Sequence, residues 1–293
     1  MIGKTHELDF AEKAIVLGIR SFMEECGFKK VHLGLSGGLD SAMVAYLAVQ
    51  AAGKENVVCI NMPSRFSSDG SKSDSKELAE NLGCRYELIS IEPMFESFLV
   101  SLEGVFEKLP FDTAEENLQA RIRGVLLMAF SNKFNSMLLT GSNKSEIAMG
   151  YSTLYGDTCG ALSPIGGLFK TEVFALARRI NERAAVAGVK AIIPQNIIDK
   201  PPSAELRPDQ KDTDSLPPYD VLDEILERYL SGNFPEGSAA GRPAGDLEGK
   251  IIRAASLAEF KRRQSPPSLV IDFSGLGKGE PSAARAVYGH CRF

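Results

Sequence analysis

The sequence predicts an α/β fold of the doubly wound kind, a parallel sheet covered by helices on both faces. Three observations carry that expectation. Short continuous apolar runs recur through the first half of the chain, as in strands buried on both faces. Helix-length stretches with apolar residues at helical spacing alternate with them. Two of the runs end directly in loops dense in small and polar residues, and open parallel sheets bind ligands at the carboxyl ends of their strands.

In order, Phe10 to Cys26 places Phe10, Ala14, Ile15, Leu17, Ile19 and Phe22 on one face of an amphipathic helix, and Gly27 ends it. Val31, Leu33 and Leu35 form the first buried strand. Ser36-Gly37-Gly38-Leu39-Asp40-Ser41 turns the chain into a helix rich in apolar residues from Ala42 to Ala48. Val57 to Met62 is a second strand, Lys76 to Leu82 a helix, and Arg85 to Ile91 a third strand. Pro93 to Leu109 reads as a structural helix with Phe95, Phe98, Leu99, Leu102 and Phe106 as its apolar face. Thr113 and Glu116 form a capping-box pattern that opens a longer helix. Glu116, Asn117, Arg121 and Arg123 crowd its early turns, either as a solvated face or as a binding surface.

Met137 to Thr140 is the next strand. It runs into Gly141-Ser-Asn-Lys-Ser-Glu146 and then the loop Tyr151 to Gly160. Pro164 to Phe174 opens another helix with Lys170 in its first turn, where the helix dipole favours acids over bases. Lys200 to Pro218 holds too many prolines for regular structure and is either a lid or disordered. Tyr219 to Tyr229 returns to helix, Asn233 to Gly249 is linker-like, Lys250 to Gln264 is helical, and Ser274 to Phe293 is weakly determined. No internal repeat is visible.

The glycine turn is the centre of the chemistry. Two glycines permit close backbone approach, and the first-turn N–H groups of the following helix face whatever anion occupies the turn. Ser36 and Ser41 add hydroxyl donors. The Lys of a kinase-type phosphate loop and the Rossmann glycine spacing are both absent, so a pyrophosphate-holding loop fits better, beside the plainer reading of a turn without ligand. Asp40 becomes useful there if Mg²⁺ lies between carboxylate and polyphosphate, and Glu146 offers a second carboxylate, although it also fits as an ordinary helix-start residue.

The bulk composition excludes several classes. With 293 residues the chain can bury one large core, and a formal charge of −5 gives no reason to expect nucleic acid as main partner. Cys26, Cys59, Cys84, Cys159 and Cys291 form no CxxC or zinc-spaced cluster, which suits a reducing cytoplasm. No apolar stretch suggests a signal peptide or membrane span.

Taken together these residues resemble the NAD synthetases of the ATP-pyrophosphatase family. The likeness rests on SGGLDSA at Ser36 to Ala42, ENLQARIR at Glu116 to Arg123 and TGSNKSE at Thr140 to Glu146. YGDTCG at Tyr155 to Gly160, KPPSAELRPDQ at Lys200 to Gln210 and FKRRQ at Phe260 to Gln264 extend it. The resemblance implies an adenine nucleotide alpha hydrolase-like fold with a five-stranded parallel sheet. The whole of residues 1–293 would be one synthetase domain: a core over about 10–190, a lid loop over about 195–218 and a helical C-terminal extension over 219–293. It also implies ATP-dependent amidation of deamido-NAD (nicotinic acid adenine dinucleotide) to NAD through an acyl-adenylate, releasing AMP and pyrophosphate, with Mg²⁺ as cofactor and ATP as co-substrate.

Residue by residue, the resemblance implies an ATP site from Gly34, Leu35, Ser36, Gly37, Gly38, Leu39, Asp40, Ser41, Thr140, Lys170 and Ser203. Asn117, Arg121, Glu146, Phe260 and Lys261 match dinucleotide positions, Asp40 and Glu146 the metal ligands, and Asp157 and Lys170 the catalytic positions. A cytoplasmic homodimer sharing the dinucleotide site is implied as well. TLYGD and SAELRPDQKD are similar to the glutamine-dependent branch, yet only about thirty residues precede the first strand, too few for a glutaminase domain. The expectation is therefore free ammonia, or ammonia from a separate glutaminase. Leu154 and Ala161 depart from a Lys and an Asp common in free-ammonia members. The rivals are a tRNA-thiolating or GMP synthetase-type enzyme, which for the tRNA case would call for paired cysteines and a basic face, and an inert nucleotide-binding subunit, which would be expected to have lost Asp40 or Glu146.

Overall fold

The computed structural model describes residues 2–231, 246–273 and 284–287. Four parallel strands, β1 (Val31–Gly34), β2 (Val57–Asn61), β3 (Arg85–Leu88) and β4 (Met137–Leu139), lie in the order β3-β2-β1-β4. Val31 stands opposite both Val57 and Met137. The chain steps outward from β1 to β3 and then crosses to place β4 on the far side of β1, so the winding reverses between β1 and β4. Crevices at such reversals are where parallel sheets hold ligands.

The helices are α1 (Thr5–Glu25), α2 (Leu39–Ala52), α3 (Asp69–Leu82), α4 (Glu92–Leu102), α5 (Thr113–Phe134), α6 (Lys144–Met149), α7 (Lys170–Val186), α8 (Gln195–Asp199), α9 (Tyr219–Leu230), α10 (Leu247–Leu257) and α11 (Glu259–Arg262). One face of the sheet packs on α1, α2 and α7 through a core that includes Ile15, Ile19, Leu33, Met43, Leu47 and Leu176. The other face packs on α4 and α5 through Ile60, Phe95, Ile122, Leu127 and Leu138. α2 is buried almost all round, which is why its sequence lacks a polar face. This burial holds its first turn rigidly against the ends of the strands.

The extension is part of the same body. Phe169, Leu222, Leu226, Ile251 and Ala255 form a smaller core that reaches Ala148 of α6. Asp223, fully buried on α9, accepts hydrogen bonds from Ser145 Oγ (2.5 Å), Thr171 N (2.9 Å) and Thr171 Oγ1 (2.8 Å). One carboxylate thus ties α9 to the starts of both α6 and α7.

Several expectations need correction. The expected fifth strand is reduced to one parallel bridge, Leu162 beside Leu139, with Ala161 N donating to Leu138 O and Thr140 N donating to Leu162 O. Pro164 and the paired glycines after it leave no length for a strand. The first helix begins at Thr5, and the third strand stops at Leu88. The helix expected to reach Leu109 ends at Leu102, and the turns after it include Glu107 and Lys108 at positive φ, which no helix accommodates; of its apolar face only Phe95 is buried. The capping box of α5 is Asp112 with Glu115, not Thr113 with Glu116: Asp112 Oδ1 accepts from Ala114 N and Glu115 Oε2 accepts from Asp112 N. In the C-terminal part the expected helices are joined by β5 (Ser268–Val270) and β6 (Arg285–Val287), an antiparallel pair that was not foreseen. The linker expected over 233–249 falls largely outside the described residues, as does most of the tail.

Replacing Asp223 with Ala would remove the acceptor that Ser145 and Thr171 share. Urea unfolding should show a loss of about 3 kcal/mol. A change below about 0.5 kcal/mol would show that α9 does not depend on this carboxylate.

Candidate active site

A cavity of about 620 Å³ opens at the β1–β4 reversal. Its floor is the turn after β1. Gly37 has φ +81°, and a Cβ there would sit 2.3 Å from the Ser71 carbonyl, so α3 and the turn touch at a point only glycine allows. Ser41 Oγ donates to Gly38 O (3.0 Å) and receives Ser36 N (3.2 Å), and Gly38 N donates to Ser36 Oγ (3.2 Å). These bonds hold the turn open and place Asp40 in the first turn of α2.

The loop after β4 closes the other side. Asn143 caps α6, accepting from Glu146 N (3.0 Å) while its own N–H donates to Glu146 Oε2 (3.4 Å). Asn143 Nδ2 also donates to Asp40 Oδ1 over 3.1 Å, which joins the two strand ends. Glu146 is therefore both a helix-start residue and a cavity wall.

Lys170 supplies the positive charge. Its side chain is 4% exposed, and its Nζ pairs with Asp40 Oδ2 and, at 3.5 Å, with Glu146 Oε1. Burial works against its charge, but Asp40 and Glu146 outweigh it and hold the ammonium above the ordinary lysine range. Glu146 is pushed up to about 8 by burial and by the charge of Asp40, with Lys170 opposing. Asp212, raised by burial, receives Tyr219 OH (2.8 Å) and Tyr151 OH (3.4 Å) in the same cavity. Acidic and basic side chains both line the cavity, and at this end two carboxylates surround one buried ammonium.

The far end of the cavity is built by α5, the loop 150–160 and α11. Lys261 Nζ donates to the carbonyls of Gly150 and Ser152, each at 2.7 Å. Asp157 accepts from Thr153 N (2.6 Å) and is pushed up to about 6 by burial, with Thr153 opposing. Thr153 Oγ1 donates to Asn117 Oδ1 (2.5 Å). Thr140 lines the cavity with a buried hydroxyl that has no hydrogen-bond partner among the described residues. Ser203 Oγ donates to Gln210 O (2.6 Å) in the loop expected as a lid, which is held by ordinary bonds.

Gly34, Leu35, Ser36, Gly38, Leu39, Asp40, Ser41, Asn117, Thr140, Glu146, Asp157, Lys170, Ser203 and Lys261 thus all face one space. Gly37 is turned toward Ser71. Arg121 lies outside the cavity, donating from Nε to Leu154 O (3.2 Å), and Phe260 is 56% exposed. Asp212, Tyr151 and Tyr219 escaped the sequence reading; the one signal for Asp212 was its place in the polar run after Pro208.

The sequence profile of the NAD synthase family matches residues 11–265. The chain belongs to the NAD synthase family. It is 48% identical over 268 residues to the glutamine-dependent NAD(+) synthetase of Synechocystis, covering 91% of this chain and 47% of that protein. The chain spans about half the length of the curated relatives it matches. Among solved structures it is similar to a glutamine-dependent NAD+ synthetase from Acinetobacter baumannii in complex with ADP (TM-score 0.63, 36% identity, 94% of this chain and 49% of that one). It is also similar to an NH3-dependent NAD synthetase from Campylobacter jejuni (TM-score 0.68, 28% identity, 87% and 96%). Among the described residues no helix is long and apolar enough to cross a membrane.

Glu146 gives a stability prediction. Its folded value of about 8 lies above the ordinary carboxyl value of 4.5, so its contribution is complete below about 4.5 and is lost as pH rises toward 8. Without added metal, Glu146→Gln should be more stable than the parent at pH above 8, on the order of 3 kcal/mol, and nearly equal to it near pH 5. Thermal unfolding at both pH values reads this, and equal stability at high pH would show that Glu146 carries no strained charge.

Proposed function

We propose that the chain catalyses ATP-dependent amidation of deamido-NAD to NAD, with ammonia as nucleophile and AMP and pyrophosphate as products. The observation that carries this reading is the Lys170 ammonium held between Asp40 and Glu146 beside a glycine turn of pyrophosphate size. Two carboxylates facing a polyphosphate loop make sense when cationic charge is shared with a nucleotide.

A carboxylate is a poor electrophile. Its oxygen attacks the α-phosphorus of ATP, the bond to the pyrophosphate oxygen breaks, and ammonia then attacks the acyl carbon and expels AMP. The N–H groups from Leu39 to Ser41 at the start of α2, with the hydroxyls of Ser36 and Ser41, bind the departing pyrophosphate. Gly34, Leu35, Thr140 and Ser203 complete the ATP site, Thr140 with its buried hydroxyl. Lys170 stabilises negative charge building on the leaving group.

Asp40 and Glu146 fit Mg²⁺, a hard ion that often binds through one or two carboxylates with phosphate oxygens and water filling the rest of its shell. When bound, the ion supplies charge neutralisation on the polyphosphate. Asn117, Arg121, Phe260 and Lys261 would hold the dinucleotide, with Glu146 at its edge. Asp157, with a proton affinity near neutrality, would accept a hydrogen bond from the incoming ammonia and orient it.

Arg121 and Phe260 lie outside the cavity, and Val125 and Met128, farther along α5 from Arg121, are exposed as well. That arrangement supports a homodimer in which a second copy completes the dinucleotide site. Ammonia comes either free from solution or from a glutaminase.

The test is NAD formation from deamido-NAD, ATP and Mg²⁺, with ammonium and with glutamine in parallel. Activity with ammonium is expected. Asp40→Asn should lower AMP formation at least about a hundredfold, and Lys261→Ala should raise the KM for deamido-NAD more than that for ATP. Wild-type AMP release from Asp40→Asn would remove the metal role, and a strictly monomeric sedimentation profile in an active sample would remove the shared site.

A further inference from the structure

Arg123 lies on α5 nearly two turns after Asn117 and lines the same cavity, yet the roles above make no use of it. Its Nε donates to the Met62 carbonyl at the end of β2 over 2.9 Å. That bond fixes the guanidinium plane and leaves the Nη groups as free donors. Among the described residues no carboxylate lies within ion-pair distance of it. Glu205, whose charge it feels, is committed elsewhere: its Oε1 accepts from Ser68 Oγ (2.9 Å) and Ser71 Oγ (2.7 Å) at the start of α3.

The surroundings offer no other relief. Gly34, Met62 and Leu127 close the floor tightly; a Cβ on Gly34 would meet Met62 Cε at 3.3 Å and Leu127 Cδ1 at 3.4 Å. Burial pushes the guanidinium down to about 10, with Glu205 opposing, so it stays charged at neutral pH. Half-buried and without a counterion, this cation is only partly solvated, at a cost, and a planar guanidinium with free Nη donors matches phosphate geometry. An arrangement that tolerates this cost in the free protein is explained if a ligand brings the anion.

We propose that Arg123 is a nucleotide-contacting residue whose Nη face binds a phosphate oxygen of the adenine nucleotide. This rests on the reading that the cavity takes ATP. The pyrophosphate turn and Lys170 grip the nucleotide from the β1–β4 side, and Arg123 grips it from the β2–α5 side.

The test is calorimetric titration of the full chain with Mg²⁺-ATP, AMP and adenosine, comparing the parent with Arg123→Met, Arg123→Gln and Arg123→Lys. Both uncharged variants should bind ATP and AMP at least about tenfold more weakly, the size expected for a lost charged hydrogen bond. Adenosine should change by less than about twofold, and Arg123→Lys should recover part of the loss. Equal weakening for all three ligands would overturn the proposal in favour of a base or ribose contact, and unchanged ATP and AMP affinity would overturn it outright. A parent chain that binds no ATP would instead remove the functional reading and this assignment with it. Two uncharged variants keep the test intact if one does not fold.

Discussion

The structure depends on one arrangement of charges: the Lys170 ammonium, almost completely buried, set between the carboxylates of Asp40 and Glu146. The three groups come from the first turns of α2, α6 and α7, so a single electrostatic contact fixes the relative positions of three helix starts. Removing Lys170 from such a buried set costs about 3–5 kcal/mol, because the two carboxylates left behind have lost their counter-charge. Glu146 bears part of that tension already, since burial and Asp40 favour its neutral form. A lysine at the start of a helix opposes the helix dipole, and here the two carboxylates override that preference.

The fold explains why this contact forms where it does. Reversal of winding between β1 and β4 opens a crevice, and both flanking loops end in helix N-termini that face it. α2 cannot shift, because nearly every side of it is packed. The extension then locks α6 and α7 from behind through Asp223. Polar groups that would otherwise be adjustable are held at fixed distances, which is what preorganised stabilisation of charge requires. The far end of the cavity is less enclosed: Tyr155 and Phe260 are exposed, and Arg121 reaches only the backbone of Leu154.

Much of this was legible in the residues. The buried strands were readable because continuous apolar runs have few other uses, and the glycine turn because Gly37 marks a backbone approach that no side chain would survive. Lys170 was readable as a misfit in its helix. What stayed hidden depended on distance in the chain. Asp212 reaches the cavity from within a proline-rich stretch whose spacing carries no periodic signal, and Tyr219 donates to it from the start of α9. The fifth strand was overread, since Leu162 adds one bridge and Pro164 ends it. The cap of α5 was misplaced by one residue because Asp112 and Thr113 are both good caps, and only the backbone geometry chooses between them. Similarity to the NAD synthase family covers residues 11–265, and the motifs within that span were the ones the sequence displayed most openly.

The central claim is that this cavity joins a nicotinate carboxylate to the α-phosphorus of ATP before ammonia arrives. Deamido-NAD labelled with oxygen-18 in its carboxylate tests it directly, by mass spectrometry of the products. One labelled oxygen should appear in AMP and the other in the amide of NAD, with none in pyrophosphate. Unlabelled AMP, or label in pyrophosphate, would contradict the account.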